Sequence, residues 1–174
     1  MPPALLHFSE DPNIEVFAPH VAATQQVEGA RVWAIDEDHQ ASYWFPRECP
    51  RACCFPYPDK PIPEAAAALI GLGGARRMQA IESGWVERMR ACQLYVYRFD
   101  PAPFVFEPQS GNSWCARETV RPLSVEPVGD LIAKHVDAGI ELRFVPNLWP
   151  VIDAIVASGL DFSIIRRANA LPRA

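Results

Sequence analysis

Residues 31–51, RVWAIDEDHQASYWFPRECPR, carry the reading of this chain. Branched and aromatic residues over 31–35 make a short strand. Asp36 follows, placed to cap a helix by accepting from free backbone N–H groups, and Glu37 and Asp38 fall at the positive end of that helix's dipole. The helix has to stop before Pro46, because proline disfavours helical geometry in the residue ahead of it. Within it His39 and Tyr43 lie four residues apart and share a face. Residues 51–55 make a further strand, and 56–63 form a proline-rich connector.

Working outward, LLHFS at 5–9 alternates, with Leu6 and Phe8 facing one way and Leu5, His7 and Ser9 the other. Asp11-Pro12-Asn13 signals a turn. A second extended piece spans 14–17, and 21–29 has no period and reads as an exposed loop. Toward the C-terminus, 64–72 predicts a helix broken by Gly71, Gly73 and Gly74. A second helix spans 83–92, with Trp85, Met89 and Cys92 on its apolar side. QLYVYRF at 93–99 is a strand alternating Leu94 and Val96 with Tyr95, Tyr97 and Phe99. Residues 104–106 are extended, 109–112 form a loop, and 113–128 hold one or two strands around Pro122. A helix over 129–138 and a strand over 140–145 lead to Asn147. Asn147 is placed to cap a final helix with Leu148, Val151, Ile152, Ile155 and Val156 at helical spacing. Strands and helices mix without a regular βαβ rhythm. The fold class is therefore α+β, with a split, mainly antiparallel sheet and short helices.

A chain of 174 residues, 49% hydrophobic and 21% charged, fits one globular domain over 1–174. The net charge of −5 argues against nucleic acid as a partner, since nonspecific binding needs a basic face. No stretch approaches the roughly 18 apolar residues of a membrane span. None has the basic start and apolar run of a signal peptide. Five cysteines, an odd number, then read as reduced thiols, and the expected location is cytoplasmic.

Several clusters invite a chemical reading. Cys49, Cys53 and Cys54 near His39 lack paired zinc-ligand spacing, and adjacent cysteines on a strand point to opposite faces, so no metal site is expected. Cys49 lies between Arg47 and Arg51, and both cations would lower a thiol's pKa. No oxyanion motif or base accompanies it. GLGGARR at 71–77 lacks the lysine and hydroxyl of a phosphate loop and follows a helix rather than a strand. In AIESGWVE at 80–87, Glu82 and Trp85 would share one helical face.

His7, Tyr43 and Glu118 form the constellation of most interest. A histidine on an early strand, an aromatic after a strand–helix unit and a glutamate near a late strand resemble the His-Tyr-Glu pattern of ADP-ribosyltransferase-like domains. Those domains grip NAD in a cleft between two small sheets. The resemblance implies Glu118 as the catalytic carboxylate, stabilising the positive charge that develops on the ribose as nicotinamide leaves. It implies His7 as ribose anchor and Tyr43 as stacking ring. Ser9, on the same face as His7, joins the expected cofactor contacts, with Arg47 and Arg51 at the pyrophosphate. The chain departs from the pattern at Phe8, where a glycine often lets substrate approach. The alternative is a non-catalytic module presenting Trp33, Trp44 and Trp114 to a small molecule or protein.

Over nearly its whole length the chain also resembles a family of small bacterial proteins classed as a domain of unknown function. The stretches that carry this are LHFSEDPNIEVFAP, VWAIDEDH, FPRECPR, IESGWVER, RETVRPLSVE, GIELRFVPNLWP and SIIRRANA.

Overall fold

A computed structural model describes residues 4–21 and 28–173. In chain order its elements are β1 (Leu5–Ser9), β2 (Val32–Ala34), β3 (Arg51–Phe55), β4 (Met78–Glu82), α1 (Val86–Ala91), β5 (Tyr95–Phe99), β6 (Val105–Glu107), β7 (Ser113–Ala116), β8 (Ser124–Pro127), α2 (Leu131–Asp137), β9 (Glu141–Val145), α3 (Trp149–Ala157) and β10 (Asp161–Ile165). The fold is α+β, with short helices and mainly antiparallel sheets. The chain divides into two compact units, neither of them one continuous stretch of sequence. The first is Met1–Trp44 with Gln93–Gly129, and the second is Phe45–Cys92 with Asp130–Ala174.

The first unit holds two three-stranded sheets, β1-β5-β8 and β2-β7-β6, antiparallel throughout. A reciprocal pair of backbone hydrogen bonds between Leu6 and Ile35 joins β1 to the end of β2. The alternation of β5 fixes its core: Tyr97 and Phe99 are buried with Leu5, Val32, Ala34, Phe104, Ala116 and Val120. Tyr97 also serves as a polar peg. Its hydroxyl donates to the Asp11 carbonyl at 2.6 Å and accepts from the Ile14 N–H at 3.1 Å, which ties the Asp11–Asn13 turn to the sheet. The extended piece expected over 14–17 reduces to one bridge, Phe17 to Val120. Most of the loop expected over 21–29 lies outside the described residues.

The capped helix expected after Asp36 is only a 3-10 turn, Gln40–Tyr43. A 3-10 helix has three residues per turn, so positions i and i+4 are rotated apart and His39 and Tyr43 do not share a face. Ser-Tyr-Trp-Phe ahead of Pro46 offers poor helix formers and no room for a second turn.

The second unit is built on the sheet β10-β3-β4-β9, antiparallel except for the parallel pair β4 and β9. Every residue of β3 and β4 is buried. The core gathers Ala52, Cys54, Met78 and Ala80 of these strands with Leu148, Ile152 and Ile155 around α3. The helical face expected to be shared by Glu82 and Trp85 is corrected: Glu82 ends β4, whereas Trp85 lies in the following 3-10 turn. A strand covered on both faces loses the alternation that identifies strands. The helix expected over 64–72 is a 3-10 turn, Glu64–Ala66, with further turns. Asp130 caps α2, accepting from the N–H groups of Ile132 and Ala133. Leu148 rather than Asn147 is the N-cap of α3, and the Asn147 side chain accepts from the Trp149 N–H one residue further in.

Candidate functional site

The first unit holds His7, Ser9, Tyr43 and Glu118, and the second holds Arg47 and Arg51. His7 is half-buried on β1. Its Nδ1 lies 3.1 Å from the Trp33 carbonyl, and its ring meets Phe17 edge-on at 5.0 Å. Side chains alternate along a strand, so Phe8 leaves β1 on the opposite face. Tyr43 stacks there on Phe8, centroids 6.4 Å apart. His7 and Tyr43 thus meet β1 from opposite sides. Glu118 is exposed in the bend after β7, two residues before Val120, whose backbone bridges to Phe17. Phe17 therefore links the neighbourhoods of His7 and Glu118. Ser9 is buried, its hydroxyl accepting from the Asp11 N–H at 3.1 Å.

In the second unit Arg51 is buried, donating to the Cys49 carbonyl at 3.0 Å with its guanidinium 5.5 Å from the centre of the Phe45 ring. Arg47 is exposed, and its carbonyl accepts from Arg166 Nε. Cys49 is not the lowered thiol that its flanking cations alone would make. Burial pushes that thiol up to about 12, outweighing the lowering by Arg51. Cys54 is likewise pushed up to about 12, chiefly by burial. All five cysteines are buried, and none forms a disulfide. Trp44 is buried and presents no surface, whereas Trp33 and Trp114 are half-buried. Among the described residues, no three or more His, Cys, Asp or Glu side chains gather to hold a metal ion.

A polar grouping of the first unit lies just past the end of β2. Asp36 Oδ1 accepts from the His39 backbone N–H at 3.0 Å and faces His39 Nδ1 at 2.6 Å. Asp36 Oδ2 accepts from the Trp114 indole N–H at 3.4 Å. His39 Nε2 lies 3.4 Å from the Asn112 side-chain amide nitrogen. A nitrogen 2.6 Å from a carboxylate oxygen has to carry the proton, since two lone pairs would repel. His39 therefore carries a proton at Nδ1. Burial raises the Asp36 carboxyl. The hydrogen bonds and charge of His39, with the Trp114 indole, more than offset this and hold it below its ordinary value. The pair is not sealed: side-chain exposure is 26% for His39 and 19% for Asp36.

The fold builds this corner from two directions. β2 delivers Asp36, and the turn after it brings His39 back over the carboxylate. β7 is paired to β2 with Trp114 opposite Ala34, which carries Trp114 to the same end. Gly111 and Asn112 are both left-handed, φ 68° and 59°. That conformation costs an ordinary L-residue about 1–2 kcal/mol, and asparagine is among the side chains that tolerate it. Phe106 of β6 packs against Trp114 at 5.4 Å and extends the aromatic wall. Sequence reasoning noted Asp36 as a cap and His39 as one member of a helical face, and missed the pair they form. Asp with His three residues on, at a strand end, and the Gly-Asn turn ahead of a second strand, were the available signals.

The chain belongs to a family of unknown function, DUF6886, whose model matches residues 6–170. No curated protein and no solved structure matches it. No helix among the described residues is long and apolar enough to cross a membrane.

Proposed function

We propose that the first unit is a binding module for a nucleotide-like small molecule, held at the corner formed by Asp36, His39, Asn112 and Trp114. The observation that carries this reading is the partly exposed Asp36–His39 pair at 2.6 Å, tied to both an amide and an indole. Ribose hydroxyls need acceptors such as a carboxylate and an imidazole nitrogen. A base or nicotinamide ring needs aromatic faces, which Trp114 and Phe106 offer. NAD is the first member of the class to test, and the ADP-ribosyltransferase-like architecture is the finer form of the proposal. In that form Glu118 is the catalytic carboxylate and His7 the ribose anchor, on the face of β1 away from Tyr43. Ser9 is a further cofactor contact. Calorimetry on the full chain with NAD, ADP-ribose and nicotinamide tests it. Saturable binding weakened by His39→Ala is expected, and no heat at millimolar ligand overturns it.

A second reading, a non-catalytic module for a protein partner, draws on β6. This is an edge strand with Val105 69% and Phe106 42% exposed, an open row of backbone hydrogen-bonding groups beside apolar side chains. Val105→Lys distinguishes the two, because it spoils an edge contact and leaves the Asp36–His39 corner intact.

A further inference from the structure

We infer that the face of β2 and β7 turned away from the core of the first unit binds the carboxylate of a small organic acid, with Arg31 and Trp33 as donors. Side chains alternate along a strand, and Val32, Ala34 and Ala116 point into that core. Arg31, Trp33 and Cys115 therefore stand on the opposite face. Trp33 is paired with Cys115 and Cys115 with Val105, so one row of side chains crosses β2, β7 and β6. Val105, at the outer end of that row, is 69% exposed and opens it to solvent.

Arg31 is the reason to expect an anion there. It is only 6% exposed, yet it makes no ion pair among the described residues. Its Nη1 donates to Cys115 Sγ at 3.3 Å and its Nη2 to the Glu28 carbonyl at 2.9 Å. A thiol and a carbonyl hold the guanidinium in place without balancing its charge. The neighbouring stretch 22–27, AATQQV, lies outside the described residues and contains no acidic side chain. A buried cation without a counter-charge is costly, and buried charges are ordinarily paired. Arg31 Nε is buried without a hydrogen-bond partner, and so is the Trp33 indole nitrogen, two residues along the same face. Both groups only donate, so what they lack is an acceptor. A carboxylate supplies two acceptor oxygens and one negative charge, which matches two donors and one cation. A phosphate dianion would overshoot the charge. Trp114 leaves β7 on the other face from Cys115. The site is therefore distinct from the Asp36–His39 corner and does not rest on the nucleotide reading.

Nitrogen–proton NMR of the full chain reads both donors directly, through the Arg31 Nε–H and Trp33 indole resonances. Sodium acetate is the probe, compared with sodium chloride at matched ionic strength. Both resonances are expected to move downfield on one saturating curve in the millimolar range. The Trp149 indole, which already donates to the Leu171 carbonyl, should stay in place. Arg31→Met should abolish the response at Trp33, with an unmoved Trp149 indole reporting that the variant is folded. Trp33→Phe, which keeps a ring and loses the donor, should weaken acetate binding at Arg31 several-fold. If Arg31→Met fails to fold, the titration of the unaltered chain decides the matter. No movement, movement of one resonance alone, or an equal response to chloride overturns the proposal. Phosphate binding as tightly as acetate overturns the assignment of a carboxylate.

Discussion

Glu82 offers the sharpest test of how the second unit is held together. Its carboxylate is buried at the end of β4, 3% exposed, and carries out a purely local task. Oε1 accepts from the Leu148 N–H at 3.2 Å, and both oxygens accept from the Leu171 N–H at 3.1 and 3.2 Å. One side chain thus caps the start of α3 and tethers the C-terminal segment. Two further bonds hold that segment, Trp149 Nε1 to the Leu171 carbonyl at 2.8 Å and Asn147 Nδ2 to the Pro172 carbonyl at 2.9 Å.

Glu82→Ala strands the Leu148 N–H in a fully buried residue, at about 1–3 kcal/mol. Leu171 is 52% exposed, so water re-satisfies its N–H, and its loss is about 0.5–1 kcal/mol. The sum, about 1.5–4 kcal/mol, corresponds to roughly 10- to 700-fold at 1.4 kcal/mol per decade. Glu82→Gln keeps one acceptor in place and gives up the charge facing the helix dipole, so its loss is about 1 kcal/mol. Hydrogen exchange by mass spectrometry on the peptides spanning 146–152 and 163–173 reads this directly. Protection should collapse in the alanine variant and fall about tenfold or less in the glutamine variant. Equal behaviour of the two, or unchanged protection in either, refutes the role given to the carboxylate.

Other consequences are equally concrete. Burial drives His135 below its ordinary value of 6.5, helped by Lys134 and opposed by the Leu131 carbonyl. The unfolded chain then binds the proton more readily than the folded one. Stability from this group is full above about pH 6.5 and is lost as pH falls toward the lower folded value. Urea midpoints should therefore drop between pH 7.5 and 5.5, with a shallower drop in His135→Gln; identical slopes would contradict it. Asn112→Ala should cost about 1–2 kcal/mol for its left-handed backbone, whereas Asn112→Gly should be near neutral in thermal melting. Cys49 and Cys54, with thiols near 12, should resist iodoacetamide at pH 8 until the chain is unfolded in urea. Rapid alkylation of the native protein would revive a reactive Cys49. If Glu118 is a catalytic carboxylate, Glu118→Gln should abolish nicotinamide release from NAD without moving the melting temperature; release unchanged by that substitution rules out the role.

The legible part of the fold is the part in which one face of an element meets solvent. β1 and β5 stand where alternation places them, because Tyr97 and Phe99 enter the core while Arg98 stays at the surface to pair with Glu37. β3 was legible from its short apolar run ahead of the proline-rich connector, although it is buried throughout. β4 was not, since the same burial on both faces erased its period and the neighbouring Gly84 and Trp85 mimicked a helical face. Helices failed where glycine or proline cut them, at 36–46 and 64–72. The candidate site was half legible. Asp36 and His39 are local, three residues apart, and their types were noted. Asn112 and Trp114 arrive from more than 70 positions away through the pairing of β7 with β2, which no local pattern encodes.

Ligand-induced shifts in amide and indole NMR resonances, followed as NAD is added to millimolar concentration, test the proposed site most directly. Perturbations concentrated at Asp36, His39, Asn112 and the Trp114 indole, saturating with one binding curve and absent in His39→Ala, are expected. A silent spectrum, or shifts confined to residues 45–92 and 130–173, would contradict it.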